Sequence, residues 1–204
     1  MAKRPKPVRD RIVDGAVALA EERRWRDVGL GDIAERSGVS LSQLHREFGS
    51  TAAIVAEIMR RTDEAVVAGR DPSSDGEPAH DRVLDALLRR FDALAPMKSA
   101  LASIMRDMPA DPMGLLCLAP RFYRSMGWTL ESAGIGTSGL AGRLRVKGVS
   151  AIYAAAFRVW LRDDSKDLTK TMAFLDKRLS QGERFAALLP FGIVDSRPRA
   201  DTNR

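Results

Sequence analysis

The 204-residue sequence has little cysteine, few aromatic residues and no long uninterrupted apolar run. Its one cysteine, Cys117, can form neither an internal disulfide nor a thiolate metal cage, so we expect a reducing, cytoplasmic environment. The longest apolar stretch, residues 115–135, is interrupted by a proline, two arginines and a glutamate, which argues against a membrane span. Aromatic residues make up 6% and hydrophobic residues 45% of the chain, a balance that favours a packed helical core over a β-sheet.

Helical periodicity runs through nearly the whole sequence, without internal repeats or strand alternation. The pattern predicts an all-α protein. Helices are predicted over residues 8–22, 30–37, 41–48, 51–68, 81–94, 97–108, 112–133, 143–162 and 165–189. Pro120 lies inside one of them and predicts a kink. Residues 71–78, DPSSDGEP, are typical of a linker or flexible loop.

The most specific pattern is IAERSGVSLSQL at residues 33–44. The small side chain of Ala34 suits the crossing of two helices, and Gly38 tolerates a positive φ in the turn between them. Ser40 can cap the second helix, and Leu44 can anchor it to the core. This spacing predicts a helix-turn-helix of the kind that reads DNA.

The second helix of this motif would present polar and apolar side chains to a DNA groove. Glutamine can pair with adenine, arginine can pair with guanine, and an apolar side chain can contact a thymine methyl. We expect bases or nearby phosphates to be contacted by Ser40, Leu41, Gln43, His45 and Arg46. The DNA backbone would be held by Ser50, Thr51 and a basic N-terminal arm with Lys3, Arg4 and Lys6. The net charge of +6 favours a polyanionic partner, although the arm could also be a frayed terminus that aids solubility.

Residues 8–59 resemble the DNA-binding region of the TetR family of bacterial transcriptional regulators. The resemblance rests on Ala18-Leu19-Ala20, Trp25, Asp32-Ile33-Ala34, Gly38-Val39-Ser40, Leu44, Phe48 and Ser50. It implies a DNA-binding domain with its arm over residues 1–49, a helical ligand-binding and dimerisation domain over 50–195, and a disordered tail over 196–204. It further implies a homodimer on a palindromic operator, most often a repressor that a ligand releases from DNA.

The sequence departs from that family at four positions. Gly29 stands where a capping threonine is usual, His45 where tyrosine is usual, Glu47 where an aromatic residue or histidine is usual, and Thr51 where lysine is usual. We expect Glu47 to repel phosphate and Thr51 to lack a phosphate contact. Residues 159–186 are also similar to the TetR-fold lipid-binding protein of ubiquinone biosynthesis. The alternative function is therefore that of a lipid- or isoprenoid-binding accessory protein that has lost DNA binding.

Large and flexible apolar side chains on the middle helices are candidates for a pocket that takes a small apolar or lipid-like ligand. They are Phe91, Met97, Leu101, Met105, Leu116, Phe122, Met126, Leu130, Tyr153 and Phe157. The alternative is that they form ordinary core. A homodimer interface is predicted from Gly148, Ala151, Ala155, Leu168, Met172, Leu175 and Leu179, and the alternative is that these stripes pack inside one protomer.

The remaining motifs do not indicate a nucleotide-binding, metal-binding or catalytic site. Residues 134–139, GIGTSG, match a dinucleotide fingerprint but follow a predicted helix instead of a strand. His45, His80 and Cys117 lack metal-ligand spacing, and no nucleophile with a base and an orienting group can be assembled. We therefore predict no catalytic residues, no metal, no cofactor and no membrane partner.

Overall fold

The computed structural model describes residues 6–187, which form nine α-helices and no β-strand. The helices are α1 (Val8–Glu22), α2 (Leu30–Arg36), α3 (Leu41–Glu47), α4 (Thr51–Ala68), α5 (Ala79–Leu94), α6 (Lys98–Asp107), α7 (Pro112–Ser132), α8 (Gly139–Trp160) and α9 (Thr169–Ala187). The all-α prediction is confirmed. Within the described residues, no helix is long and apolar enough to cross a bilayer.

The described chain divides into two compact units. The first unit contains residues 6–61 and 94–121, and the second contains residues 62–93 and 122–187. The division cuts α4 after Arg61 and cuts α7 one residue after Pro120, through which the helix continues. The functional boundary expected at residue 49 stays a prediction. The predicted tail over 196–204 and the arm residues Lys3 and Arg4 lie outside the described residues.

The first unit is organised around α1. Its apolar face is buried, with Ile12 and Ala16 at most 1% exposed, as the helical spacing predicts. This face packs against α2, and α6 lies against α1 as well. Polar contacts fix the second pairing, because the Ser99 hydroxyl donates to Glu21 at 2.8 Å and the Ser103 hydroxyl donates to the Arg23 carbonyl at 3.2 Å. Helix α1, on which α2 packs, is thus held by a helix far away in sequence.

The second unit has an aromatic core between α5 and α8. The ring of Phe91 stacks on Tyr153 at 5.0 Å and on Trp160 at 5.2 Å between centroids, and all three side chains are buried. Phe157 lies 5.2 Å from Trp160 and closes the cluster. Aromatic pairs at these distances contribute about 0.5–1.5 kcal/mol beyond the area they bury.

Two predicted helix boundaries are wrong for local reasons. Helix α9 begins at Thr169 instead of Ser165, because the buried Asp163 accepts hydrogen bonds from Ser165 and from the backbone and hydroxyl of Thr171 and so fixes a loop. Helix α8 begins at Gly139 instead of Arg143, since Ser138 already has the extended backbone of an N-cap. Glycines read as a break therefore lie inside the first turn of α8.

Candidate nucleic-acid interface

The turn between α2 and α3 has the geometry that the sequence predicts. Gly38 adopts a φ of 62°, and its amide donates to the Glu35 carbonyl at 3.0 Å. The Val39 amide donates to the Ala34 carbonyl at 3.0 Å, which closes the end of α2. Only glycine adopts this backbone at little cost. Ala34 and Leu44 are 3% and 0% exposed, so both predicted anchors are in the core of the motif.

Helix α3 begins with a reciprocal cap. The Gln43 amide donates to the Ser40 hydroxyl at 3.1 Å, and the Ser40 amide donates to the Gln43 side-chain oxygen at 2.9 Å. This arrangement satisfies two backbone donors at the start of the helix. It uses one lone pair of the oxygen with which Gln43 would accept from adenine and leaves the side-chain NH2 group free of the cap. Gln43 as a base reader stays a prediction.

Three predicted reading residues project from α3 into solvent. Leu41 is 57% exposed, and His45 and Arg46 are also exposed. Within the described residues, Arg46 makes no side-chain hydrogen bond or ion pair, so its five donors are available to a ligand. The structure thus presents Leu41, His45 and Arg46 together on one short helix.

The residues predicted to hold the DNA backbone differ in their surroundings, and some of them already have partners within the chain. Ser50 caps α4, because its hydroxyl accepts from the Ala53 amide at 3.1 Å, and Thr51 is the first residue of that helix. Lys6 forms an exposed ion pair with Asp14, which leaves its charge mostly compensated. Gly29 precedes α2, and the Asp32 carboxylate accepts from its amide at 2.8 Å, which is the half of a capping box that does not need a side chain at position 29.

The expectation that Glu47 adds a repulsive charge needs correction. Arg9 donates to the Glu47 carboxylate at 3.2 Å and to its carbonyl at 3.3 Å, and the guanidinium lies 4.5 Å from the centre of the Phe48 ring. An opposite charge at this distance cancels most of the field of the carboxylate. The sequence could not show this pairing because the two residues are 38 positions apart.

The same arginine belongs to a network that sequence reasoning missed. Glu57, only 3% exposed, accepts from Arg9 at 2.9 Å, from Arg60 at 2.7 and 2.9 Å and from Arg61 at 3.1 Å. Arg61 also donates to Asp10 at 2.6 Å. The hydrogen bonds from Arg60, Arg9 and Arg61 outweigh the cost of burial and hold the pKa of Glu57 well below its usual value. This network ties α4 to α1 and, through Arg9, to the end of α3.

The ten residues predicted to line a ligand pocket are divided between the two units. Met97, Leu101, Met105 and Leu116 are in the first unit, and the other six are in the second. Leu116 is 67% exposed, and its place in a ligand pocket stays a prediction. Phe91, Phe122, Met126, Leu130, Tyr153 and Phe157 lie in or beside the aromatic core. Two pockets, of about 320 and 740 Å³, are lined by other residues.

A buried polar cluster lies beside that core and was also missed. Arg90, 3% exposed, donates to Asp63 at 2.6 Å, to Ser125 at 2.7 Å and to Thr129 at 3.1 Å. Its guanidinium lies 5.3 Å from the centre of the Tyr153 ring and acts by charge and hydrogen bonding on the buried Tyr153 hydroxyl. Burial raises the pKa of this hydroxyl.

The seven predicted interface residues fall into two groups. Gly148 and Ala151 are exposed and Met172 is 42% exposed, whereas Leu175 and Leu179 are 0% and 7% exposed within a single chain. The two leucines pack where α8 meets α9, which favours the alternative that they belong to the protomer core. Leu168 precedes α9 with a φ of 48°, and Ala155 is half-buried. The exposed members stay a prediction.

Within residues 6–187, no group of three or more potential ligands could hold a metal ion. The segment that matches the dinucleotide fingerprint connects α7 to the start of α8. It thus follows a helix, as predicted, where a nucleotide-binding turn would follow a strand. These features define the class of the molecule as an all-helical protein with a capped and exposed helix-turn-helix near its N-terminus.

Comparisons with known proteins identify the family that this architecture resembles. Residues 12–58 match the family model for bacterial regulatory proteins of the tetR family, and residues 145–186 match a model described as COQ9 more weakly. None of the curated proteins matches the sequence.

Solved structures similar to the chain are TetR-family regulators. The TetR transcriptional regulator from Nitrosomonas europaea is 26% identical with a TM-score of 0.70, and the match covers 88% of this chain and 99% of that one. A TetR regulator from Rhodococcus sp. RHA1 is 17% identical, with a TM-score of 0.65 and coverage of 85% and 94%. The fatty acid degradation regulator FadR from Bacillus halodurans is 18% identical, with a TM-score of 0.60 and coverage of 87% and 96%. The protein has the TetR-family regulator fold, with an N-terminus of the DNA-binding type.

Proposed function

We propose that the protein is a ligand-responsive transcriptional regulator, a repressor that binds a palindromic operator as a homodimer. The observation that carries this proposal is the exposed surface of α3. On that surface Leu41, 57% exposed, and Arg46, whose five donors have no partner among the described residues, offer together the apolar and the bidentate contacts that reading a base edge requires. The cap at Ser40 and the buried anchor Leu44 hold that surface in a fixed position.

Geometry and charge suggest which residues contact the bases and which contact the phosphates. Leu41, His45 and Arg46 contact base edges or adjacent phosphates, while Ser40, Ser50 and Thr51 lie near the backbone with the N-terminal arm. Gln43 acts chiefly by capping α3. In a two-fold symmetric dimer, the two reading helices would be about 34–36 Å apart to meet successive major grooves.

Homodimerisation is supported by the exposed face of α8. Leu140, Leu144, Gly148 and Ala151 follow one another at helical spacing and are all exposed, Leu140 to 69%. Small residues after two leucines allow a symmetric partner helix to approach closely, because they place little side chain between the two backbones. Sedimentation of the purified protein tests this step, with a monomer at micromolar concentration as the contrary result.

Ligand binding is supported by the core of the second unit. The Tyr153 hydroxyl and the Arg90 guanidinium lie together beside an otherwise apolar aromatic core, and a few polar groups among apolar walls are typical of small-molecule sites. A small, mostly apolar ligand with one polar atom would suit this combination beside the aromatic rings of Phe91 and Phe157. A ligand that binds the two states of the dimer unequally would then shift operator affinity.

The experiment is a binding titration against DNA from the gene's own upstream region and against scrambled DNA, at two salt concentrations. We expect specific binding about 10³-fold or more tighter than binding to scrambled DNA. Equal, weak and steeply salt-dependent binding to both would contradict sequence reading.

Arg46→Ala tests the site itself. We expect it to weaken operator binding by about 1–3 kcal/mol and to relax base preference, because a bidentate contact is lost. The matched control is Arg158→Ala on α8, which removes the same charge from an exposed position in the second unit. Unchanged affinity in Arg46→Ala would show that α3 is not the reading helix.

A second candidate function is a lipid- or isoprenoid-binding accessory protein without DNA binding. It is supported by the match of residues 145–186 to the COQ9 model and by Thr51, which lacks the charge that lysine would place at the start of α4. Folded and dimeric protein that binds no upstream DNA, but that retains a lipid through purification, would favour this candidate.

A further inference from the structure

A surface groove of about 740 Å³ lies between α7 and α8 in the second unit. On α7 it is lined by Tyr123, Arg124 and Trp128, and on α8 by Arg143 and Lys147. Arg124 and Trp128 are four positions apart, as are Arg143 and Lys147, so each pair lies on one face of its helix. Its volume is in the range of pockets that hold small molecules. None of these residues belongs to the predicted ligand pocket.

The groove is apolar along its walls. Tyr123 and Trp128 are 47% and 53% exposed, and the smaller Val146 and Gly127 complete the lining. Aromatic side chains of this size rarely remain half-exposed on a surface without a binding role, because covering them releases water from a large apolar area. The walls therefore fit an apolar chain or ring.

The charge of the groove is positive overall. Within the described residues, the cations of Arg124, Arg143 and Lys147 form no ion pair or side-chain hydrogen bond. The one carboxylate in the lining, Glu131, accepts from the Thr137 amide at 3.0 Å and from the Thr137 hydroxyl at 2.7 Å, and it keeps its negative charge because both donors are neutral. Three cations against one carboxylate, around two exposed rings, favour an anionic occupant.

We propose that this groove binds a single amphiphile with an anionic head and an apolar chain. The head pairs with Arg143, Lys147 and Arg124 at the rim, and the chain lies along Trp128 and Tyr123. The proposal goes beyond the proposed function and does not rest on DNA binding. It assigns a second ligand site, on the surface of the unit instead of in its aromatic core.

Other occupants of the groove fit its charge less well. A symmetric copy centred on the groove would bring three more cations towards these three. The proposed dimer contact is centred instead on Leu140, Leu144, Gly148 and Ala151, which neighbour Arg143 and Lys147 on α8, so we place the groove at the edge of that contact. Residues 188–204 of the chain contain three arginines and two aspartates and so lack the excess of negative charge that would complement the rim. A cationic amphiphile would cover the aromatic walls, but its head would be repelled by Arg124, Arg143 and Lys147 at the rim.

The test uses isothermal titration of the full chain with dodecanoate below its micelle concentration. The comparison probes are dodecyltrimethylammonium, which has the same chain and the opposite charge, and acetate, which has the head alone. We expect dodecanoate to bind about tenfold or more tightly than the cationic probe, and acetate not to bind measurably. Equal affinity for both amphiphiles, or binding of acetate as tight as that of dodecanoate, would overturn the assignment.

Variants locate the binding in the groove. Arg143→Gln with Lys147→Gln should weaken dodecanoate binding about fivefold or more, since two exposed charge contacts are lost. The matched control, Arg158→Gln with Arg162→Gln, removes the same charge from the end of α8 and should leave affinity unchanged. Equal effects of the two double variants would mean that only net charge matters, and that result would contradict the proposal.

Fluorescence gives an independent readout of position. Dodecanoate should shift the tryptophan emission of the wild-type chain, and the shift should disappear in Trp128→Phe because the side chain in contact with ligand is gone. Trp25 and Trp160 remain as internal references. A shift of full size in Trp128→Phe would place the ligand elsewhere, for example in the core beside Tyr153, and would refute the groove site. Operator affinity of the same variants reports separately on DNA binding.

Discussion

At the residue scale, the crossing of α1 over α2 depends on one glycine. A Cβ atom at Gly15 would come within 2.3 Å of the Ser37 hydroxyl oxygen and 3.3 Å of the Ser37 amide nitrogen. That hydroxyl also donates to the Ile33 carbonyl at 2.6 Å, so it cannot move without losing a buried hydrogen bond. Ala34 was expected to permit the crossing of α2 and α3. Gly15 permits a second crossing, that of α1 and α2, which no local sequence pattern indicates.

Gly15→Ala should therefore destabilise the protein by about 1–3 kcal/mol, because the new methyl group overpacks the crossing and displaces Ser37. The measurement is urea unfolding monitored by circular dichroism. Gly31→Ala is the matched control, since nothing lies within 4 Å of a Cβ there, and it should stabilise by about 0.5–1 kcal/mol. Stabilisation by both substitutions would show that the crossing tolerates a side chain.

At the element scale, α3 is only seven residues long and depends on its cap and its anchors. Ser40 accepts from the Gln43 amide, Gln43 accepts from the Ser40 amide, and Leu44 fills the space below. The sequence predicted both the cap and the anchor. It did not indicate that Gln43 takes part in the cap. A glutamine at this position can bond either to the Ser40 amide or to a DNA base, and the sequence pattern is the same in both cases.

Ser40→Ala should reduce the free energy of unfolding by about 0.5–2 kcal/mol through the lost N-cap. Ser42→Ala is the matched control, because Ser42 is exposed on the same helix and makes no side-chain hydrogen bond within the described residues. We expect that control to change stability by less than about 0.5 kcal/mol. Hydrogen exchange of the α3 amides measures the effect locally, and equal protection in both variants would contradict a role for the cap.

At the scale of the whole molecule, two charged clusters, around Glu57 and around His80, join helices that are distant in sequence. The first loses its contribution to stability as pH falls, and the second loses its contribution as pH rises. In the first unit, the lowered pKa of Glu57 means that its contribution to stability is present above its usual pKa and is lost as pH falls further. In the second unit, His80 on α5 contacts Asp176 at 3.0 Å and Glu183 at 3.4 Å on α9. Burial lowers the pKa of His80, but the hydrogen bond and the two carboxylate charges outweigh it and raise the pKa overall.

Because the pKa of His80 is raised, its contribution to stability changes with pH in the direction opposite to that of Glu57. Its contribution is fully present below the usual histidine pKa of about 6.5 and is lost as pH rises through the folded-state value. We expect the α5–α9 contact to lose about 0.2–1 kcal/mol between pH 6 and pH 8, the range of a partly exposed ion pair. Hydrogen exchange of α9 at both pH values is the measurement.

The control for this prediction is the second histidine of the chain. His80→Gln should abolish the difference in α9 protection between the two pH values, after correction for the intrinsic exchange rate. His45→Gln, at an exposed position on α3, should keep the difference. If His45→Gln abolished it and His80→Gln did not, the pH dependence would originate outside the α5–α9 contact.

The helices and the reading motif could be predicted from the sequence because their causes are local. Periodicity sets the helices, Gly38 sets the turn, and Ser40 sets the start of α3, all within a few residues. The match of residues 12–58 to the tetR family model confirms the resemblance carried by these residues. What failed at this level were the starts of α8, which includes glycines interpreted as a break, and of α9, where a buried aspartate eight residues before Thr171 fixes the loop.

Only the tertiary structure decided which charges and apolar side chains meet. Arg9 neutralises Glu47 and holds Glu57 across 38 and 48 residues, Leu175 packs inward, and Arg124 and Arg143 are left without partners beside exposed aromatic rings. Such pairings depend on the three-dimensional path of the chain, and a helical stripe has the same sequence pattern whether it faces a core, a partner or a ligand. For that reason the class of protein followed from its sequence, while its candidate ligand groove followed from its fold.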